Sequence, residues 1–228
     1  MKLINYDLEN EIDFDISNAW SLICEHSAMF ASFTGDMCMQ VKGQQGKWRL
    51  ISGGQDIDFA KYAVYLADYH NMNLNDKKAT AILQDNLKKL AFDENHIVAT
   101  NELLTSLTMY FNDLTLDIDY PLTVRDADIT ILLKAISVAF LEEYDNLFEK
   151  LCDYVSLLSR LTSIKVIVCI SLRSYLNSEQ LSLLFKHCQI NGISILCIDS
   201  SFKTKIKDEA IIVYDEDRCE YLPVMQTD

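Results

Sequence analysis

Apolar residues change their period along this chain, and the changes divide it into three stretches. In the first 55 residues they come in short runs. Met1 to Tyr6 and Glu11 to Asp15 read as two short extended pieces, and Ala19 to Cys24 as a buried strand. Lys47 to Ile51 reads as a further strand, ended by Gly53-Gly54. A short amphipathic stretch, Ser27 to Phe33, lies between them. From Asp56 to His70 the spacing becomes three and four, through Phe59, Tyr62, Ala63, Leu66 and Tyr69. That spacing predicts a helix with Asp56 near its N-terminus. A second helix, capped by Asn75 or Asp76, carries Ala79, Ile82, Leu83, Leu87 and Leu90 on one face, and Asn101 to Phe111 predicts a third. Asp113 to Asp128 is acidic, partly extended, and contains Pro121. From Ile129 the helical pattern resumes and runs, with a break near Glu142-Glu143, to Leu161. Tyr144, Leu147, Phe148, Leu151, Tyr154, Val155, Leu158 and Leu161 form its clearest apolar stripe.

The last stretch alternates strand and helix. Lys165 to Ile170 is apolar inside and β-branched, as a strand buried on both faces should be. Asn177 caps a helix from Ser178 to Gln189, and Ile193 to Ile198 is a second buried strand ending at Asp199. Ala210 to Tyr214 and Cys219 to Leu222 predict a closing hairpin. Strand, helix, strand with a short crossover implies a parallel βαβ unit. The expected architecture is α/β: a head domain from residues 1–55 and 162–228, with a helical leg domain, 56–161, inserted into it.

Composition narrows the function classes. Half of the 228 residues are hydrophobic, enough for a real core, and with only 6 Gly and 2 Pro a many-turn sandwich fits badly. The net charge of −14 argues against general polyanion binding, because nucleic-acid-binding domains are usually basic. The charge is segregated, however: residues 101–153 hold 3 basic and 11 acidic side chains, and 154–207 hold 7 basic and 2 acidic ones. Local fields therefore matter more than the total. The 7 Cys include no CxxC and sit partly in apolar runs, which reads as free thiols in a reducing cytoplasm. No apolar run approaches the ~18 residues of a membrane-spanning helix, so no membrane partner is expected.

Catalytic patterns are incomplete. A nucleotide-binding P-loop needs GxxxxGK[ST], since four residues between the glycines shape the amide cradle and the hydroxyl holds magnesium. Here two residues separate Gly43 from Gly46, and Trp48 follows Lys47 in place of the hydroxyl. Ile195 to Asp199 resembles a strand ending in a Walker-B acid, but without a partner loop it reads as a buried strand with a carboxylate at its exit. The four histidines, 26, 70, 96 and 187, are scattered, and neither GxSxG nor HExxH occurs.

Two charged patterns are sharper. Lys77-Lys78 and Lys88-Lys89 are eleven residues apart, which is three helical turns to within about 20° and about 16 Å along one face. That interval suits contact with successive phosphates of a duplex; the alternative is an ordinary solvated face. Asp117, Asp119, Asp126 and Asp128 form two Asp-x-Asp pairs around Pro121 in a non-helical segment. Alternating carboxylates in an irregular loop are the oxygen ligands that calcium prefers; the alternative is a solubilising loop.

An ordered set of segments carries a family resemblance. Phe148-Glu149-Lys150, the helix through Leu161, Lys165 to Ile170, Ser174 to Glu179 and Ile193 to Asp199 resemble the C-terminal half of the small adaptation protein of type II-A CRISPR systems, the Csn-two family. Leu116-Asp117-Ile118-Asp119 shortly before a helix with Leu132-Leu133-Lys134-Ala135-Ile136 fits too, as does the order of strands and helix before Ser52. This chain departs from the pattern by extra residues near Pro121 to Val124. The resemblance implies a degenerate P-loop-like α/β head with a helical leg, assembled as a ring-shaped homotetramer with calcium among acidic residues. It implies binding of double-stranded DNA ends in the ring's hole during spacer acquisition, beside the CRISPR integrase proteins and the guide-RNA nuclease, with no catalysis. Lys77, Lys78, Lys88, Lys89 and Lys134 are the expected DNA contacts, and Asp117, Asp119, Asp126 and Asp128 the expected metal ligands. Two other classes stay open: a divergent P-loop ATPase acting on nucleic acid, and a structural oligomer.

Overall fold

The computed structural model describes residues 1–75, 77–201 and 204–223, with Lys78 described by its backbone alone. The chain forms two compact units, Met1–Met72 with Glu143–Asp228, and Asn73–Glu142. No helix among the described residues is long and apolar enough to cross a membrane.

The first unit is α/β and holds two sheets. Strands β1 (Lys2–Asn5), β2 (Ile12–Asp13), β4 (Trp48–Ser52) and β5 (Gln55–Ile57) form an antiparallel sheet in the order β2-β1-β4-β5. Gly53 and Gly54 join β4 to β5 with φ of +58° and +78°, so both turn positions lie in the left-handed region that glycine enters freely. The larger sheet runs β10-β9-β3-β8-β7-β6, built from Glu220–Tyr221, Glu209–Tyr214, Ala19–Cys24, Ser194–Asp199, Val166–Ile170 and Ala63–Leu66. Every pairing in it is parallel except β10 with β9. Every residue of β3, β7 and β8 is buried, as a parallel sheet covered on both faces requires.

Strand alternation sorts the core. Trp20 and Leu22 of β3 share a face with Val166, Val168, Leu196, Ile198 and Ile212. They pack against Phe33 and Met37 of helix α1 (Ser27–Gln40) and against Leu3, Trp48 and Leu50 of the smaller sheet. Helix α6 (Leu147–Leu161) packs on α7 (Ser178–Ile190), the crossover between the adjacent parallel strands β7 and β8. Asn177 and Gln180 close a capping box at the start of α7.

The glycine-lysine stretch has a packing role in this unit. Gln40, at the end of α1, reaches across the chain; its amide nitrogen donates to the Trp48 carbonyl (2.7 Å) and its oxygen accepts from the Trp48 amide (2.9 Å). A Cβ on Gly46 would lie 2.6 Å from Gln40 Cδ. Gly46 is thus bare because a side chain crosses it to pin β4 onto α1.

Some expectations are corrected. Residues 56–70 do not form one helix. Asp58, not Asp56, caps a four-residue helix α2 (Phe59–Tyr62), its carboxylate accepting from the Ala60 amide (3.0 Å), and β6 follows at once. The contiguous run Ala63-Val64-Tyr65-Leu66 serves either period, and parallel pairing with β7 decides for strand. Asp56 instead pairs with Arg49 across the β4–β5 hairpin. Helix α1 extends past Phe33 to Gln40. The break in the second helical run covers residues 137–146: Ser137, at φ +57°, ends α5 (Ile129–Ile136). Within the span 56–161, both β6 and α6 lie in the α/β unit, β6 as its edge strand and α6 with Leu151, Tyr154, Val155 and Leu158 buried. Asp76, one of the two expected caps of the second helix, lies outside the described residues.

The clamp is testable. Gly46→Ala and Gln40→Ala should each destabilise the chain by about 1–3 kcal/mol, the first by overpacking and the second by leaving buried backbone groups of Trp48 unpaired. Urea unfolding reads both; a neutral Gly46→Ala would show that Gln40 swings aside and that the clamp contributes nothing.

Candidate nucleic-acid interface

The second unit carries the charged sets. It contains α3 (Lys77–Ala91), α4 (Ile97–Leu116) and α5, and α3 packs against α5. Its two ends are tied together by Asn75, whose amide donates to the Phe140 carbonyl (2.9 Å) and accepts from the Phe140 amide (2.6 Å). Lys77, Lys88, Lys89 and Lys134 are all exposed; the Lys78 side chain lies outside the described residues. Lys89 pairs with Asp85 one turn back (2.6 Å), whereas Lys77, Lys88 and Lys134 make no ion pair among the described residues.

Asp128 shows what the packing brings together. It caps α5, accepting from the Thr130 amide at 2.6 Å. Hydrogen bonding from Thr130 holds its carboxyl below the usual carboxylate range, and the charges of Lys88 and Lys134 add to the effect. Lys88 on α3 and Lys134 on α5 therefore share one neighbourhood, although 46 positions separate them in the chain.

The other acidic residues take separate places. Asp117 is the C-cap of α4, and Asp119 stands in the turn that follows. Asp126 lines a concavity of about 340 Å3 with Asn101, Thr105 and Thr108, and the neighbouring Ala127 amide donates to Thr108 Oγ1 (3.3 Å). Among the described residues, no three His, Cys, Asp or Glu side chains come together in a way that could hold a metal ion.

In the α/β unit the chemistry-bearing groups are internally committed. At the carboxyl end of β3, two residues, Glu25 and His26, lead straight into α1; the Glu25 amide donates to the Tyr214 carbonyl (2.8 Å) and His26 Nδ1 accepts from the Met29 amide (3.3 Å). No glycine-lined phosphate cradle stands there. Lys47 belongs to the approach to β4 and pairs with Asp7 at 2.7 Å. Asp199, at the carboxyl end of β8, is buried beside Arg173, whose amide donates to Asp199 Oδ1 (3.3 Å) and whose Nε lies 3.6 Å from Oδ2. The same guanidinium binds the buried Glu209, donates to Ser21 Oγ (3.1 Å) and to the Thr204 carbonyl (3.0 Å). Burial pushes the Asp199 carboxyl up to about 6, with Arg173 opposing the rise. The sequence pattern singled out Asp199 but not its partners. The only local sign was polarity out of place: Ser21 inside an apolar strand and Glu209 at the head of another.

Comparison with known proteins decides the family. The model of the CRISPR-associated protein family Cas_Csn2 matches residues 41–218. The chain belongs to the Cas_Csn2 family. The crystal structure of Stu0660 of Streptococcus thermophilus shares its fold, with a TM-score of 0.62 at 11% identity, over 94% of this chain and 75% of that one. No curated protein matches the chain in sequence. Cas_Csn2 membership gives it an adaptation-related role in the CRISPR system, as an accessory protein working with other Cas proteins.

Asp199 supplies a test of this buried cluster in the Cas_Csn2 chain. Its carboxyl titrates higher in the fold than its ordinary value of 3.8, so the fold favours the neutral form. Its ionisation costs stability above about pH 6, and that cost fades as pH falls. The stability of the wild type relative to Asp199→Asn should therefore rise by about 1.4 kcal/mol between pH 7.5 and 5.0. Denaturant unfolding at the two pH values measures this; an unchanged difference would mean that Arg173 keeps Asp199 ionised throughout.

Proposed function

We propose that this Cas_Csn2 chain holds double-stranded DNA during spacer acquisition as a self-associated ring and does not hydrolyse ATP. The observation that carries the reading is that Lys88 on α3 and Lys134 on α5, helices that pack together, are both exposed, both act on Asp128, and make no ion pair among the described residues. Lys77 and Lys89, also exposed, add basic side chains along α3. A net charge of −14 repels a duplex as a whole, but exposed charges are screened beyond ~8 Å at physiological salt, so nearby lysines dominate locally. Phosphate contacts position without reading sequence, so binding should be sequence-independent and should weaken steeply with salt.

Self-association has its own support. Helix α4 leaves Val98, Leu103, Met109, Tyr110, Phe111 and Leu116 exposed in the single chain. An apolar surface of this extent marks an interaction site. A closed ring would repeat each lysine set by symmetry, so weak contacts multiply; a homotetramer is the assembly the family resemblance suggests. Calcium belongs to this reading only in the assembled form. No three of Asp117, Asp119, Asp126 and Asp128 come together within one chain, and in this reading oxygens from a second copy complete the site. The absence of ATP hydrolysis is supported by Lys47 being held on Asp7 and Asp199 on Arg173. The integrase proteins and the guide-RNA nuclease are the partners this role implies.

Charge reversal of Lys77, Lys78, Lys88, Lys89 and Lys134 to Glu should abolish gel retention of linear duplex while light scattering shows an unchanged assembly. Retention by that variant would move the DNA contacts elsewhere. Separately, Tyr110→Glu with Phe111→Glu should lower the mass seen by light scattering from that of an assembly larger than a dimer. A wild-type mass near 26 kDa would remove the ring from the proposal.

A further inference from the structure

The α/β unit has a second feature that neither its core nor the lysine face of the helical unit uses. At the amino ends of β3 and β9, opposite the end that carries Asp199, a cavity of about 470 Å3 opens between the sheet and α7. Its volume falls in the range of small-ligand sites. Phe185 and the small residues Ala19 and Ala210 give it an apolar floor.

Its polar lining falls into two groups. The first holds the rim in place: Ser17 Oγ donates to the Asp208 carbonyl (3.1 Å), and Asn18 Nδ2 donates to the Ile193 carbonyl (2.8 Å). Glu209, also in the lining, has its charge met by Arg173, and its Oε2 accepts from the Ile206 amide (2.9 Å). The second group is uncommitted. Ser182, Lys186 and Gln189 stand at i, i+4 and i+7 along α7, one above another on the face that borders the cavity. Lys207 faces them from the turn before β9. None of these four side chains makes a hydrogen bond or an ion pair with another described residue. Two lysines and two neutral hydrogen-bonding side chains thus line one concavity, with Asp208 the one carboxylate of the lining that makes no ion pair among the described residues.

From this we infer that the cavity binds a nucleotide phosphate, with Lys186 and Lys207 on the phosphate, the base against the Phe185 floor, and Ser182 and Gln189 hydrogen-bonding to base or sugar. Lysine serves a phosphate as a compact point charge with rotatable donors. The chemistry is the same whether the phosphate belongs to a free nucleotide or to the terminal nucleotide of a DNA strand. This site is separate from the α3–α5 lysine surface and does not rest on the DNA-holding proposal.

Calorimetry of the full chain with deoxyadenosine monophosphate tests it. Binding should be measurable and should weaken at least about tenfold, or 1.4 kcal/mol, in Lys186→Gln with Lys207→Gln, while the Lys→Arg pair retains it. Both positions are exposed, so melting curves of the variants should match the wild type. Lack of binding by the wild type, or equal binding by the Gln pair, overturns the site. A short duplex with 5′-phosphate or 5′-hydroxyl ends separates the two sources. If the phosphorylated duplex binds more tightly and the Gln pair erases the preference, the ligand is a DNA terminus. If the mononucleotide binds and the two duplexes do not differ, it is a free nucleotide. The α3–α5 charge-reversal variant should leave mononucleotide binding intact, so failure of the DNA-holding proposal is distinguishable from failure of this one.

Discussion

A single half-buried guanidinium joins three strands of the larger sheet in the α/β unit. Strand β3, near the start of the chain, pairs on both sides with strands that arrive some 180 residues later, β8 and β9. Closing that pairing has a large loop-entropy cost, which the strands repay only once both neighbours are in place. Arg173 sits over the seam. It touches Asp199 on β8, Glu209 on β9 and Ser21 on β3, and its backbone amide caps the Asp199 carboxylate. Desolvating one cation with two carboxylates is costly, and the cluster is favourable only when its members are all present. Removing the guanidinium would leave two buried carboxylates facing each other.

That commitment shapes how the molecule works. Groups that look catalytic in isolation are each taken up by a neighbour within the α/β unit: Lys47 by Asp7, Asp199 and Glu209 by Arg173, His26 by the first turn of α1. The smaller sheet is fastened in the same way, by the Gln40 side chain passing over Gly46 to Trp48. The helical unit is the reverse. Lys77, Lys88 and Lys134 are exposed and make no ion pair among the described residues, and its longest helix leaves apolar residues uncovered. Internal neutralisation in one unit and exposed charge in the other are the contrast on which the proposed DNA-holding role rests.

The sequence alone determined much of this. Contiguous apolar runs with β-branched residues placed β3, β7 and β8, because a parallel strand buried on both faces needs apolar side chains at every position. Asn177 and the spacing after it placed α7, and the order of such elements carried the family likeness. The lysine interval on α3 was legible because helical geometry depends only on separation along the chain.

What needed the tertiary structure depends on partners distant in sequence. Ala63 to Leu66 became a strand because β7 offers an edge; spacing alone favoured helix, since a short apolar run satisfies both periods. Gly43 and Gly46 lacked the spacing of a phosphate loop, but what Gly46 does instead, giving passage to the Gln40 side chain, needed the structure. Lys134 joined Lys88, and Lys207 came to face Lys186 across a cavity, only through packing between separate elements. Arg173 carried no local signal at all. Its role is set by an ion pair with residues 26 and 36 positions away, and local pattern records the propensity of each residue, not the neighbours that folding will bring to it.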